Sequence, residues 1–200
     1  MLKKFYHANL FGSNENPGIM TTANGAVDLE LNGDELTLSG SFSNLSSALN
    51  TAIAGGAHIH VGLPGENGAV VFPLTPNTSP DGMNGIFVGS KNTFTLTPSQ
   101  LDDLRARRFY VNIHSMNFAG SELRGQIVGH ARALYRAHLS GMNAVPSQVI
   151  TGGLGVFMAE IVTKKPFIFL EISIALNQKL LPTSWGDFTF TEDWQDKPVP

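Results

Sequence analysis

The stretch Ala26-Val27-Asp28-Leu29-Glu30-Leu31-Asn32-Gly33-Asp34-Glu35-Leu36-Thr37-Leu38-Ser39-Gly40-Ser41-Phe42 alternates apolar and polar residues in two runs about a central turn. Val27, Leu29 and Leu31 share one face of the first run; Leu36, Leu38, Gly40 and Phe42 share one face of the second. Successive side chains of a strand point to opposite faces, so a period of two marks half-buried strands. Asn32-Gly33-Asp34 supplies the positive-φ residues that a hairpin turn needs. Outward from this hairpin, short runs between Gly, Asn and Pro clusters predict further strands at Lys4–Leu10, His58–Val61, Ala69–Leu74, Thr93–Leu96, Phe109–His114 and Leu123–Val128. The expected fold is all-β, an antiparallel Greek-key-like β-sandwich with one short helix near 98–107. That helix is announced by Thr97-Pro98-Ser99-Gln100, a capping box with proline at the first helical position.

The 200 residues carry 13 Lys+Arg against 16 Asp+Glu, a net charge of −3, which argues against a protein living on phosphate contacts or on an anionic membrane surface. No nucleic-acid partner is expected. With no cysteine, disulfide scaffolds, thiolate metal sites and cysteine nucleophiles are excluded. No apolar run reaches the ~18 residues of a membrane span, and the N-terminal residues lack the apolar core of a signal peptide. The chain is therefore expected to be intracellular or the mature form of an exported protein.

An internal repeat is also visible. Tyr6-His7-Ala8-Asn9-Leu10-Phe11-Gly12 through Pro17 is echoed by Tyr135-Arg136-Ala137-His138-Leu139-Ser140-Gly141 through Pro146, and Thr22 and Gly25 by Thr151 and Gly155. Strand-like segments follow at Val156–Val162 and Pro166–Ile174. The expected organisation is a first domain over residues 4–131, a partial second copy over 132–190 that packs on the first or on another chain, and a flexible tail over 191–200.

The chemistry-bearing residues lie on two of the predicted strands. In Ala57-His58-Ile59-His60-Val61, His58 and His60 point to the same side. In Tyr110-Val111-Asn112-Ile113-His114, Tyr110, Asn112 and His114 share the face opposite Val111 and Ile113. If the strands are neighbours, His58, His60 and His114 converge, a way to build a three-nitrogen metal site with an open position. Neutral imidazole suits zinc, copper, nickel and iron. The competing reading is a hydrogen-bonded histidine layer that knits the core. Glu122 is the expected carboxylate beside the ligands, with Glu66 a weaker candidate, and Arg124, Asn112 and Tyr110 are expected in the layer around them. No nucleophile elbow, phosphate-binding loop, dinucleotide fingerprint or His-Glu-x-x-His motif occurs, so no catalytic residue is assigned.

Taken in order, Leu10-x-Gly12-x-Asn14-Glu15-x-Pro17, Thr22-x-x-Gly25, Gly40-x-Phe42-x-Asn44-Leu45, Ala57-His58-Ile59-His60-x-Gly62, Leu96-Thr97-x-x-Gln100, Tyr110-Val111-Asn112-Ile113-His114 and Glu122-Leu123-Arg124-Gly125-Gln126-Ile127 resemble the CHRD domain. The resemblance covers Lys4 to about Gly129, and residues 134–174 resemble the start of a second such domain. Ser121 stands where the family usually has glycine. The resemblance implies a β-sandwich module of secreted or periplasmic proteins, and its histidine strands are similar in style to one in copper–zinc superoxide dismutases. Three readings follow. The first is a non-enzymatic binding or structural module whose histidine cluster binds copper or zinc or knits the core, with a protein partner or a homodimer covering an open sheet edge. The second is a superoxide dismutase-like metalloenzyme in which Arg124 steers an anion and Glu122 orients a ligand, or a zinc hydrolase on the same histidines. The third is an adhesion module without metal, using the loops at 63–68 and 75–85.

Overall fold

A computed structural model of the chain describes residues 3–129, 133–145, 147–150, 154–164 and 167–177. The contacts divide the chain into two units, Met1–His130 and Ala131–Pro200. The expected flexible tail at 191–200 lies outside the described residues.

In the first unit the strands are β1 (Lys4–Phe11), β2 (Asn24–Asn32), β3 (Glu35–Ser43), β4 (Ala57–Val61), β5 (Val70–Pro73), β6 (Pro76–Thr78), β7 (Gly85–Phe87) and β8 (Thr93–Thr95). After the helix α1 (Pro98–Arg105) come β9 (Phe109–Ile113), β10 (Leu123–Gln126) and β11 (Val128–Gly129). They form one antiparallel sheet in the order β5-β4-β9-β10-β1-β2-β3-β7-β6, with β11 beside β1 and β8 beside β3. The sheet curls into a half-barrel, which corrects the expectation of a β-sandwich. A sandwich would part β4-β9-β10 from β1-β2-β3 as two layers. Here the two groups are hydrogen-bonded edge to edge, through Phe11 opposite Arg124 and Tyr6 and His7 opposite Gly129 and Val128.

The two ends of this order, β5 and β6, are consecutive in the chain and joined by Leu74 and Thr75 alone. Three Cα steps span at most about 11 Å, so the curl brings the end of one edge strand within that distance of the start of the other. Asn92, fully buried, secures the link: Thr75 N–H donates to its Oδ1 at 2.8 Å, and its amide donates to the carbonyls of Thr75 and Val88. Gly40 marks a close approach on β3. Its φ is +154°, and a Cβ there would lie 2.2 Å from the Ala26 carbonyl oxygen, so the period-two pattern admits only glycine at this place.

The hairpin β2–β3 pairs in the register the alternation requires, with Leu29 opposite Leu38 and Leu31 opposite Leu36. These residues join Val27, Phe42, Ile59, Val111, Ile113 and Leu123 in one apolar core, each fully buried aliphatic side chain contributing roughly 1.5–3 kcal/mol. The capping box of α1 forms in both directions, Gln100 N–H to Thr97 Oγ1 and Thr97 N–H to Gln100 Oε1. The helix ends at Arg105, short of the expected 107, because Arg107 takes a left-handed conformation at φ +59°. Strand β6 falls within the loop expected over 75–85 and β7 begins at its last residue; at three residues each they are too short to show an alternation.

The second unit contains β12 (Ala133–Ser140), β13 (Leu154–Lys164) and β14 (Phe167–Asn177), an antiparallel meander in chain order. Ala133 pairs with Ile161 and Ser140 with Leu154, as Lys4 pairs with Leu31 and Phe11 with Asn24. A single 3-10 turn follows the first strand in both units, at Gly12–Asn14 and Gly141–Asn143.

Candidate metal centre

Strands β4, β9 and β10 are buried on both faces. One face, with Ala57, Ile59, Phe109, Val111, Ile113 and Leu123, belongs to the apolar core. The other carries His58, His60, Tyr110, Asn112, His114, Arg124 and Gln126, all buried. A polar face that leaves water must find its hydrogen bonds inside the protein, and here it finds them in the loops around residues 53–54, 62–68 and 119.

The pairing of β4 with β9 puts His58 opposite Asn112 and His60 opposite Tyr110. His58 and His60 share one face, and on the β5 side the register shifts between Ile59 and His60, leaving Val71 of β5 as the extra, unpaired residue. The ring centroids of His58 lie 5.4 Å from those of His60 and 5.0 Å from those of His114. The expected convergence of the three histidines is therefore present.

Backbone carbonyls fix the proton on each ring, because a carbonyl can only accept. His58 donates its Nε2–H to Ile53 O at 2.8 Å, shared with Ala54 O at 3.0 Å. His60 donates Nδ1–H to Gly68 O at 3.0 Å, and His114 donates Nδ1–H to Ala119 O at 2.9 Å. The other nitrogen of each ring, His58 Nδ1, His60 Nε2 and His114 Nε2, is buried and has no hydrogen-bond partner. One ring nitrogen from each histidine lies within 4.8 Å of the other two. Ligand nitrogens ~2.0–2.1 Å from a tetrahedral ion lie roughly 3.3–3.4 Å apart, so an ion would draw the three rings closer together. Burial lowers the pKa of His60 and of His114, outweighing the hydrogen bonds to Gly68 and Ala119, which raise them. Both rings are thus held in the neutral form that ligates metal.

Tyr110 stacks on His60 with centroids 5.0 Å apart and planes 9° from parallel. The Arg124 guanidinium covers the same tyrosine, with Cζ 3.6 Å from its centroid. Among the described residues Arg124 is the largest of the fully buried side chains. Its Nη1 donates to Asn67 Oδ1, and its Nη2 donates to the carbonyls of Leu63 and Glu66. Arg124 therefore pins the loop whose last residue, Gly68, both orients His60 and donates its N–H to the Tyr110 hydroxyl at 2.9 Å.

Glu122 is fully buried, and its hydrogen bonds run elsewhere: it accepts from Thr21 Oγ1 at 2.6 Å and from the N–H and hydroxyl of Ser46. Glu66 accepts from Leu63 N–H, within its own loop. The contacts that orient the imidazoles come from carbonyls, which no residue type announces.

Glu15 escaped the sequence reading as a site residue, although it stands in the Asn14-Glu15-x-Pro17 motif. It accepts from the Ser121 hydroxyl at 2.7 Å, and Ser121 holds a φ of +128°. Burial lifts the Glu15 carboxyl from the ordinary 4.5 to about 7, against the lowering effects of the Ser121 hydrogen bond and the Arg124 charge. A carboxyl raised in the folded state stabilises most when protonated: its contribution is complete below pH 4.5 and is lost as pH climbs to about 7. The loss amounts to roughly 3 kcal/mol at 1.36 kcal/mol per pKa unit. Urea unfolding at pH 5 and pH 8 is expected to show that decline in the wild type, and Glu15→Gln is expected to flatten it. An equal decline in both proteins would assign it to other groups.

A family model described as the CHRD domain matches residues 6–127. No curated protein and no solved structure matches the chain.

Proposed function

We propose, from the premise that the chain belongs to the CHRD domain family, that residues 4–131 form a binding and structural module that holds one copper or zinc ion on His58, His60 and His114. One observation carries this reading: three buried imidazole nitrogens, each with its ring proton already committed to a backbone carbonyl, are left without partners in one place. A hydrogen-bonded histidine layer would instead pair those nitrogens with one another or with donors. The ion would supply Lewis acidity or, as copper, a one-electron couple. The protein supplies orientation and neutral ligands.

Metal content and copper and zinc titration of tag-free protein test the reading. One equivalent of tightly bound metal is expected in the wild type and none in His58→Ala/His60→Ala/His114→Ala. An absence of binding in the wild type would return the histidines to a purely structural role.

The metalloenzyme reading keeps its support from the ligand count. Copper and zinc commonly take four ligands, so three histidines leave a position for a reacting molecule. It is tested by superoxide dismutation of the copper-loaded protein against the same amount of free copper. The resemblance also supports a secreted or periplasmic location. Residues 132–190 are read as a partial second copy, a reading supported within the described residues by the matching register of β12–β13 and β1–β2 and by the recurring 3-10 turn. In the first unit β1 is paired on both sides, whereas among the described residues β12 is paired only with β13. An unpaired edge invites another strand, which favours self-association as a homodimer, and sedimentation of the full chain tests it.

A further inference from the structure

Resting on the reading of His58, His60 and His114 as the ligand set, we propose that Asn112 selects the fourth ligand. Its amide oxygen accepts a hydrogen bond from a protic molecule, water first, held at the remaining position on the metal.

Asn112 is 5% exposed, and its Oδ1 is buried with no hydrogen-bond partner in the protein. It lies opposite His58 across β4 and opposite Arg124 across β10. On β9 it shares its face with His114, two residues on. These neighbours keep their protons for other acceptors. His58 and His114 donate to carbonyls and present only lone pairs inward. Arg124 directs Nη1 and Nη2 to Asn67, Leu63 and Glu66. A buried acceptor among acceptors carries its full desolvation penalty unless something outside the chain donates to it.

A carboxamide oxygen is a hard donor that suits magnesium, calcium or manganese; an imidazole triad suits zinc or copper. The amide oxygen therefore acts on the fourth ligand by hydrogen bond and does not enter the coordination sphere. The consequence is selectivity. Ligands carrying O–H, such as water, hydroxide or a hydroperoxide, gain that bond. Aprotic anions such as azide cannot form it.

The test uses the full chain loaded with copper(II), as wild type, Asn112→Asp, which keeps an acceptor, and Asn112→Leu, which removes it. Electron paramagnetic resonance in ¹⁷O-enriched water is expected to show line broadening by bound water in the first two and none in Asn112→Leu. Azide is expected to bind Asn112→Leu about three- to tenfold more tightly than wild type, the worth of one hydrogen bond. Histidine nitrogen couplings unchanged across the series show that the ligand set is intact, and Asn112→Ala replaces the leucine variant if that one does not fold. Copper bound with the same broadening and azide affinity in the acceptor-free variant overturns the role of Asn112 and leaves the three-histidine centre standing. Wild type that binds no copper overturns both.

Discussion

Arg124→Met is expected to cost about 4 kcal/mol of folding stability and to weaken copper or zinc binding by roughly tenfold or more. Methionine fills much of the same volume, so the loss is not one of packing. It arises because Leu63 O, Glu66 O and Asn67 Oδ1 lose their donors and Tyr110 loses the cation on its face. The effect reaches the metal through the loop over 62–68: once that loop slackens, Gly68 no longer fixes the Nδ1 proton of His60. Urea unfolding of the apo protein reads the first effect and metal titration the second. A midpoint unchanged from wild type would mean that the loop holds without Arg124.

Gly68→Ala is expected to produce a comparable injury by a different route. A Cβ at Gly68 would sit 1.5 Å from Val61 O and 2.7 Å from Val61 C. Both obstructing atoms are backbone of β4 or its end, so no side-chain rotation relieves the overlap. The loop must withdraw, taking with it the Gly68 carbonyl from His60 and the Gly68 N–H from Tyr110. A stability loss of at least about 3 kcal/mol is expected from thermal or urea unfolding, together with about tenfold weaker metal binding. Weakened folding with unaltered metal affinity would show that His60 does not need this carbonyl.

The histidine cluster was legible because strand periodicity puts His58 and His60 on one face of their strand and Tyr110, Asn112 and His114 on one face of theirs, and because β4 and β9 are neighbours these are the same face of the sheet. The helix was legible from Thr97 and Gln100, whose side chains make the very bonds their spacing announces. The groups that orient the imidazoles were not legible. The carbonyls of Ile53, Ala54, Gly68 and Ala119 belong to the backbone, and every residue type carries such a carbonyl, so no side chain announces them. Arg124 lies in the layer around the histidines, over the Tyr110 ring that stacks on His60, but alternation says only which face a residue occupies and did not reveal that it also holds residues 63–67. Glu122 was expected beside the ligands, and its hydrogen bonds go to Thr21 and Ser46 instead. The sandwich expectation failed for a similar reason. Local pattern defines strands, whereas the junction of β10 and β11 with β1 is a contact between residues more than a hundred positions apart.

The two-residue link between β5 and β6 has a consequence for behaviour in concentrated solution. Open sheets polymerise through their free margins, and long flat margins are the hazard. Here one margin is four residues long and closes with Pro73, and the other is three residues long and begins with Pro76. A proline has no amide hydrogen to offer a neighbour, and the link tethers the end of one margin to the start of the other. The first unit is thereby built to resist fibril growth through its sheet margins at high concentration.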